Sequence, residues 1–228
     1  MKFLFIIPAR GGSKGIPGKN IKLLAGRPLL HYSIELAREF ADDADICLST
    51  DDEQIATCAE AVNLAVPFRR PDEMAADNSG SYEYIMHAIE HYEKQGSIYD
   101  AVVLLQPTSP LRRSSHLKDM ISEFTLEMDM LVSVQEARNN PVCVSFVEDD
   151  QGNLQRLFRE ESTLRQEVPK VYEYNGAFYI MNVNSLKKGS YNDFSCIRKF
   201  IMDEVSSLDI DTPLDWDFAE FMMQRSAP

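Results

Sequence analysis

The chain opens on an apolar run, Phe3 to Ile7, that stops at Pro8. It then enters a loop with four glycines (Gly11, Gly12, Gly15, Gly18) and three cations (Arg10, Lys14, Lys19). No other stretch narrows the possible folds as much. A short, unbroken apolar run bounded by turn residues is a buried strand. Glycines let the backbone after it turn tightly and bring its N–H groups close to a ligand. Cations on the same loop neutralise clustered phosphates. A buried strand running into such a loop is the layout of a nucleotide-binding α/β protein. No Gly-Lys-Ser/Thr closes the loop as in a Walker A motif, and no Gly-x-Gly-x-x-Gly is present, which disfavours a dinucleotide-binding dehydrogenase.

The following residues keep alternating. Helical spacing over Leu29 to Phe40 leads to a strand at Asp45–Thr50. Asp51 or Asp52 then caps a helix with Ile55, Ala59 and Val62 on its inner face. A short strand is expected at Val66–Arg69. Tyr82, Ile85, Met86, Ile89 and Tyr92 share one helical stripe that ends at Gly96. A buried strand at Ala101–Leu105, a helix through Leu117, Met120, Ile121 and Phe124, and a strand at Met130–Val134 follow. This order implies βαβ units, hence an α/β fold: a three-layer, mostly parallel, doubly wound sheet with helices on both faces.

The pattern breaks after Pro141. Val142–Glu148, a turn at residues 150–153 and Leu154–Phe158 read as a small antiparallel excursion. Strands are expected at Ala177–Met181 and Phe200–Met202. Thr212 caps a last helix, with Pro213 at its first position and Asp215 three residues past the cap. At 228 residues the chain is expected to be a single domain spanning 1–228.

Charge narrows the function. The net charge is −13, from 36 acidic and 23 basic residues, which argues against nucleic-acid or anionic-membrane binding. Against that background Lys2, Arg10, Lys14, Lys19 and Lys22 gather at the start without an acid among them, which points to a bound polyanion. Cys47, Cys58, Cys143 and Cys196 are scattered with no C-x-x-C pair, so a zinc site is not expected and a reducing cytoplasm fits. No run approaches the ~18 apolar residues of a membrane span. The signal-peptide-like start is cut off by proline, arginine and glycines.

Four further segments carry candidate chemistry. Gln106, Thr108 and Ser109 follow the most apolar strand, where ligands bind in open α/β sheets, with Ser114 or Ser115 as the expected cap of the next helix. Arg69-Arg70 precede a helix entered by small hydroxyl residues (Ser79, Ser81), suited to base or phosphate recognition. Asp77 or Ser79 can equally be a plain helix cap. Asp209-Ile210-Asp211 alternates, so both carboxylates share one face while Ile210 points inward, a donor pair suited to Mg²⁺. Arg165, Asn175 and Tyr179 offer a carboxylate-binding fork, an amide and an aromatic wall.

The blocks Ile7 to Asn20, Arg70 to Ser81, Leu104 to Arg112, Arg165 to Tyr179 and Asp209 to Asp211 together resemble the acylneuraminate cytidylyltransferases, the synthetases of CMP-sialic and other CMP-nonulosonic acids. The resemblance spans nearly the whole chain. It implies transfer of CMP from CTP to a nonulosonic acid with Mg²⁺ (or Mn²⁺) as cofactor. Arg10, Lys14, Lys19, Asp209 and Asp211 would be catalytic. Ala9, Arg10, Gly11, Asn20, Arg70 and Ser81 would bind the nucleotide, and Gln106, Arg165, Asn175 and Tyr179 the sugar. Asp209 and Asp211 would hold the metal, and residues 139–170 would form the arm of a homodimer. Glu173 and Val142 depart from the arginine and lysine of sialate enzymes, which leaves the sugar open. A Kdo cytidylyltransferase is the nearest alternative, although that family usually has arginine where Gly15 lies and lacks Lys19-Asn20 in this form. A nucleotide-binding module without catalysis is the alternative of another class.

Overall fold

The computed structural model describes residues 1–13, 15–74, 80–158 and 168–226, with the side chains of residues 72 and 226 left aside. In chain order the elements are β1 (Phe3–Pro8), β2 (Leu23–Leu24), β3 (Arg27–Pro28), α1 (Leu29–Arg38), β4 (Ile46–Ser49), α2 (Glu53–Glu60), α3 (Ser81–Lys94) and β5 (Ala101–Leu104). There follow α4 (Ser114–Glu123), β6 (Met130–Glu136), α5 (Pro141–Val144), β7 (Phe146–Glu148), β8 (Leu154–Arg156), β9 (Tyr172–Asn182), α6 (Val183–Lys188), β10 (Ile197–Ile201) and α7 (Pro213–Ser226). Six strands form the main sheet in the order β10-β6-β9-β5-β1-β4. β1 pairs in parallel with β4 and β5, and β10 with β6. β9 alone runs the other way, between β5 and β6.

Strand alternation splits the core into two layers. Phe5 and Ile7 of β1 face one cluster with Leu30 and Ile34 of α1 and Leu117 of α4. Leu4 and Ile6 face the other, with Ile85 and Ile89 of α3. This is the three-layer, doubly wound arrangement that the alternation implies. A third small cluster joins Ile16, Leu24, Ile210 and Trp216, so the glycine-rich loop and the Asp209–Asp211 segment share a packed base.

Local signals set several boundaries. The Asp52 carboxylate accepts from the amides of Gln54 and Ile55, capping α2, which contributes about 1 kcal/mol. Thr212 and Asp215 bond each other's backbone amides in a capping box that starts α7. Other expectations are corrected. Ser114 and Ser115 do not cap α4: Arg113 occupies the cap with extended backbone and no side-chain bond, and Ser114 is already helical. Val66–Arg69 forms no strand, only a bridge from Arg69 to Thr50. The excursion begins with the single-turn α5, capped by Asn140, before the β7–β8 hairpin. The last strand starts at Ile197 rather than Phe200. The alternatives Asp77 and Ser79 lie outside the described residues; Gly80 precedes α3 with no side-chain cap.

Candidate active site

The carboxyl ends of β1, β4, β5 and β6 lie on one side of the sheet, and the opening residues of β9 join them because β9 is antiparallel. Tyr179 pairs with Leu104 at the end of β5, and Tyr174 with Val134 near the end of β6. Between them β9 bulges, with residues 175–178 opposite Ser133. The Ser133 hydroxyl donates to Asn175 Oδ1 at 2.6 Å and accepts from the Phe178 amide at 2.8 Å. Gly176 adopts φ +75° there, in the left-handed region that glycine tolerates best. A Cβ at Gly176 would stand 2.8 Å from Gln106 Oε1 and 3.3 Å from Asp209 Oδ2. The bulge therefore brings the β5 loop and the Asp209 segment over one glycine.

The first loop is anchored at several points. The Lys19 ammonium is buried and donates to the Ile210 carbonyl at 2.5 Å and to Asp211 Oδ1 at 3.3 Å. An ammonium has three donors, so these two bonds leave one for a phosphate. Gly15 packs directly on the Asp211 carbonyl with no room for a side chain. Asn20 donates to the Arg10 carbonyl at 3.0 Å and fixes the loop's turn. The amides of Ala9 and Gly11 are already engaged, by the Ser49 carbonyl and Asp51 Oδ1. Lys14 lies outside the described residues, as does Arg165.

Arg70 reaches in from the neighbouring strand end. Its guanidinium is buried against the Tyr84 ring, 4.5 Å from the centroid, and donates to the Ser49 hydroxyl at 3.0 Å and the Ser49 carbonyl at 2.6 Å. Burial lowers its pKa, and the same burial pushes the Tyr84 hydroxyl up to about 12. Ser81, at the first turn of α3, lines a cavity of about 340 Å³ with Gln106, Tyr174, Tyr179 and Tyr191. Burial pushes Tyr179 up to about 12 as well, helped by the nearby Asp209 charge.

Asp209 and Asp211 flank the fully buried Ile210, whose amide bonds the Thr108 carbonyl at 2.8 Å. Burial raises the pKa of Asp209; the Thr108 hydroxyl opposes this and Asp211 adds to it. Asp209 Oδ1 is buried with no hydrogen-bond partner, while the Asp211 side chain is 74% exposed. A buried, unbonded carboxylate oxygen next to a second carboxylate fits a hard dication. Among the described residues no third acidic, histidine or cysteine side chain joins the pair. That suits Mg²⁺, which keeps waters and substrate phosphates in its remaining positions.

Several residues here take contacts that the sequence did not announce. Asp51 had the outward signal of a helix cap, yet its carboxylate holds the Gly11 amide at 3.1 Å. Tyr191 stacks edge-on against Tyr82 and Phe194, with its hydroxyl buried beside Ser81. Ser207 accepts from Asn175 Nδ2 at 2.9 Å and ties the bulge to the Asp209 segment. Nothing in their local spacing marks these partners, because each is met only through the sheet.

A cytidylyltransferase model matches residues 4–220. The chain belongs to the cytidylyltransferase family. It is 33% identical over 229 residues to a CMP-N,N'-diacetyllegionaminic acid synthase of Legionella pneumophila, covering 98% of this chain and 97% of that one. It is 35% identical over 225 residues to an N-acylneuraminate cytidylyltransferase of Escherichia coli, of which it spans only 52%. In structure it resembles a CMP:2-keto-3-deoxy-manno-octonic acid synthetase complexed with CTP, with a TM-score of 0.73 at 17% identity over the full length of both chains. At that identity the likeness speaks for the fold. Among the described residues no helix is long and apolar enough to cross a membrane.

Proposed function

We propose that this cytidylyltransferase carries CMP from CTP to the anomeric hydroxyl of a sialic-acid-like nonulosonic acid and releases pyrophosphate. The observation that carries the reading is the meeting of four segments at one sheet edge: the glycine-rich loop on Asp211, and Gln106 with Asp209 over Gly176. The relatives named for legionaminic and N-acylneuraminic acids support the acceptor class.

In this reading Arg10, Lys14 and Lys19 bind the triphosphate, with Asn20 holding the loop's shape. Arg70 and Ser81 serve the cytidine end, and Ala9 and Gly11, whose amides are held within the protein, approach the nucleotide through their carbonyls. Gln106 and Tyr179 line the sugar cavity, Asn175 supports it from below, and Arg165 pairs with the sugar carboxylate. The anomeric oxygen attacks the α-phosphorus, the bond to pyrophosphate breaks, and the hydroxyl proton passes to a carboxylate of the Asp209–Asp211 pair. Holding the two substrates in line supplies most of the acceleration in such reactions. Asp209 and Asp211 would hold Mg²⁺ or Mn²⁺, which when bound neutralises phosphate charge. A homodimer through residues 139–170 fits the exposed apolar side chains of the hairpin, Phe146, Val147 and Leu154. A cytoplasmic setting supplies the CTP.

A panel of acceptors tests the reading. Pyrophosphate release from CTP should require a nonulosonic acid such as legionaminate, pseudaminate or N-acetylneuraminate, and should stop in excess EDTA. Kdo as the preferred acceptor, or CTP binding with no release for any acid, would overturn it.

A further inference from the structure

Arg112 is a buried cation with no direct ion pair among the described residues; the charge acting on it is the more distant Asp209 carboxylate, which offsets part of the cost of its burial. The residue is 8% exposed. Its Nη1 donates to two carbonyls, Gln106 and Ala177, each at 2.7 Å, and its Nη2 donates to the Ser33 hydroxyl at 2.6 Å. The guanidinium lies over the Phe178 ring, 5.3 Å from the centroid. A buried charge is tolerated only where hydrogen bonds satisfy it, so this position is held for a reason other than core packing. The two carbonyls give that reason. Gln106 opens the loop after β5, and Ala177 follows Gly176 in the β9 bulge. One nitrogen therefore staples together the two backbones that carry Gln106 and the glycine beneath it. An apolar residue of similar length would fill the space and make neither bond, and lysine's single point charge does not reproduce a planar fork.

We propose that Arg112 is a positioning residue for the acceptor. It locks the Gln106 loop to the Gly176 bulge and so sets where the Gln106 side chain stands in the sugar cavity. The proposal rests on the sugar-binding reading of Gln106 and assigns Arg112 no contact with substrate. It predicts an effect confined to one substrate, because Arg112 touches neither the first loop nor Arg70.

The test pairs kinetics with exchange. Arg112→Lys should raise KM for the acceptor about tenfold or more while KM for CTP stays within about twofold. In a Gln106→Ala background the same change should add less than about twofold, because its route of action is already gone. Equal losses in kcat with both KM values unchanged would show a merely structural role, and multiplying effects in the double variant would also overturn the proposal. Ser33→Ala keeps the staple and loosens only its outer bond, so it should show the same selectivity more weakly if Arg112→Lys folds poorly. Amide exchange gives a reading that does not depend on turnover: Arg112→Lys should deprotect residues 105–109 and 176–178 but not 46–52. Uniform deprotection would refute the staple. Failure of the wild-type protein to transfer CMP would count against the cytidylyl reading alone, and the exchange result would still decide the role of Arg112.

Discussion

Asp209 carries one buried, unbonded carboxylate oxygen, and burial raises its pKa above the ordinary 3.8. A raised pKa means that the folded state binds the proton more tightly than the unfolded chain. Stability therefore falls as pH climbs from about 3.8 through the folded value, and the ionised group is a cost at neutral pH. Asp209→Asn should consequently abolish most turnover while leaving the melting temperature in EDTA at pH 7 equal to or above that of the wild type. A clear loss of stability would contradict the account of a strained carboxylate kept for function. If Asp209 only holds metal, excess Mg²⁺ should partly restore the variant; if it also takes the anomeric proton, added metal should fail. Arg10→Ala and Lys19→Ala should each slow turnover about 100- to 1,000-fold at saturating CTP, by analogy with loss of one preorganised donor. Near-wild-type rates in either would remove the phosphate role of the first loop. At this scale the sequence was readable where the chemistry is local. Gly15 and Lys19 marked a tight cationic loop, and Asp-Ile-Asp marked two carboxylates beside each other, and the structure packs the one on the other. The engagement of the Gly11 amide by Asp51, and of Lys19 by Ile210, depends on strands far apart in the chain.

β9 decides the geometry of the cavity proposed for the sugar. Its eleven residues run antiparallel between two parallel neighbours, so its first half reaches the same edge as the glycine-rich loop. Sequence periodicity marked only Ala177–Met181, because the bulge at 175–178 interrupts the alternation that a strand shows. The partners that hold the bulge, Ser133, Ser207 and Arg112, lie on other elements and left no local pattern. Caps were legible where a carboxylate or hydroxyl stood one step before the helix, as Asp52 and Thr212 do. They failed at α4, where the serines stand inside it. A second anchor lies at the far end of β9. Asp129 accepts from the Ser185 hydroxyl at 2.5 Å and from the Ser195 and Cys196 amides at 2.8 Å each. Those bonds hold its pKa down at about 2. A depressed pKa gives stability that is present above about 3.8 and lost as pH falls toward about 2. Asp129→Asn should lower the melting temperature at pH 6, and the gap to wild type should close between pH 4 and about 2. A gap that persists unchanged in acid would show that the amide makes the same bonds as the carboxylate.

The whole molecule is a family fold with its candidate site at one edge of a mixed sheet, and its class was legible because strand and helix signals alternate from β1 to β6, before the break after Pro141. The β7–β8 hairpin stands apart from that sheet with both strands exposed, and β10 leaves Ile197 and Ile201 exposed at the sheet's outer edge. Apolar surface of this kind is normally covered by another chain. Light scattering at micromolar concentration should give twice the 25.9 kDa chain mass, and charged substitutions at Phe146 and Leu154 should shift it to the monomer. A fully active monomer would remove the arm from the account. The most direct test of the central claim follows the phosphorus. In ³¹P NMR of the protein with CTP, Mg²⁺ and a nonulosonic acid, the account predicts a new CMP-sugar phosphodiester signal and pyrophosphate growing in equal amounts, neither appearing when the acid is left out. Pyrophosphate without acceptor, or CTP unchanged with every acid at saturation, would contradict it.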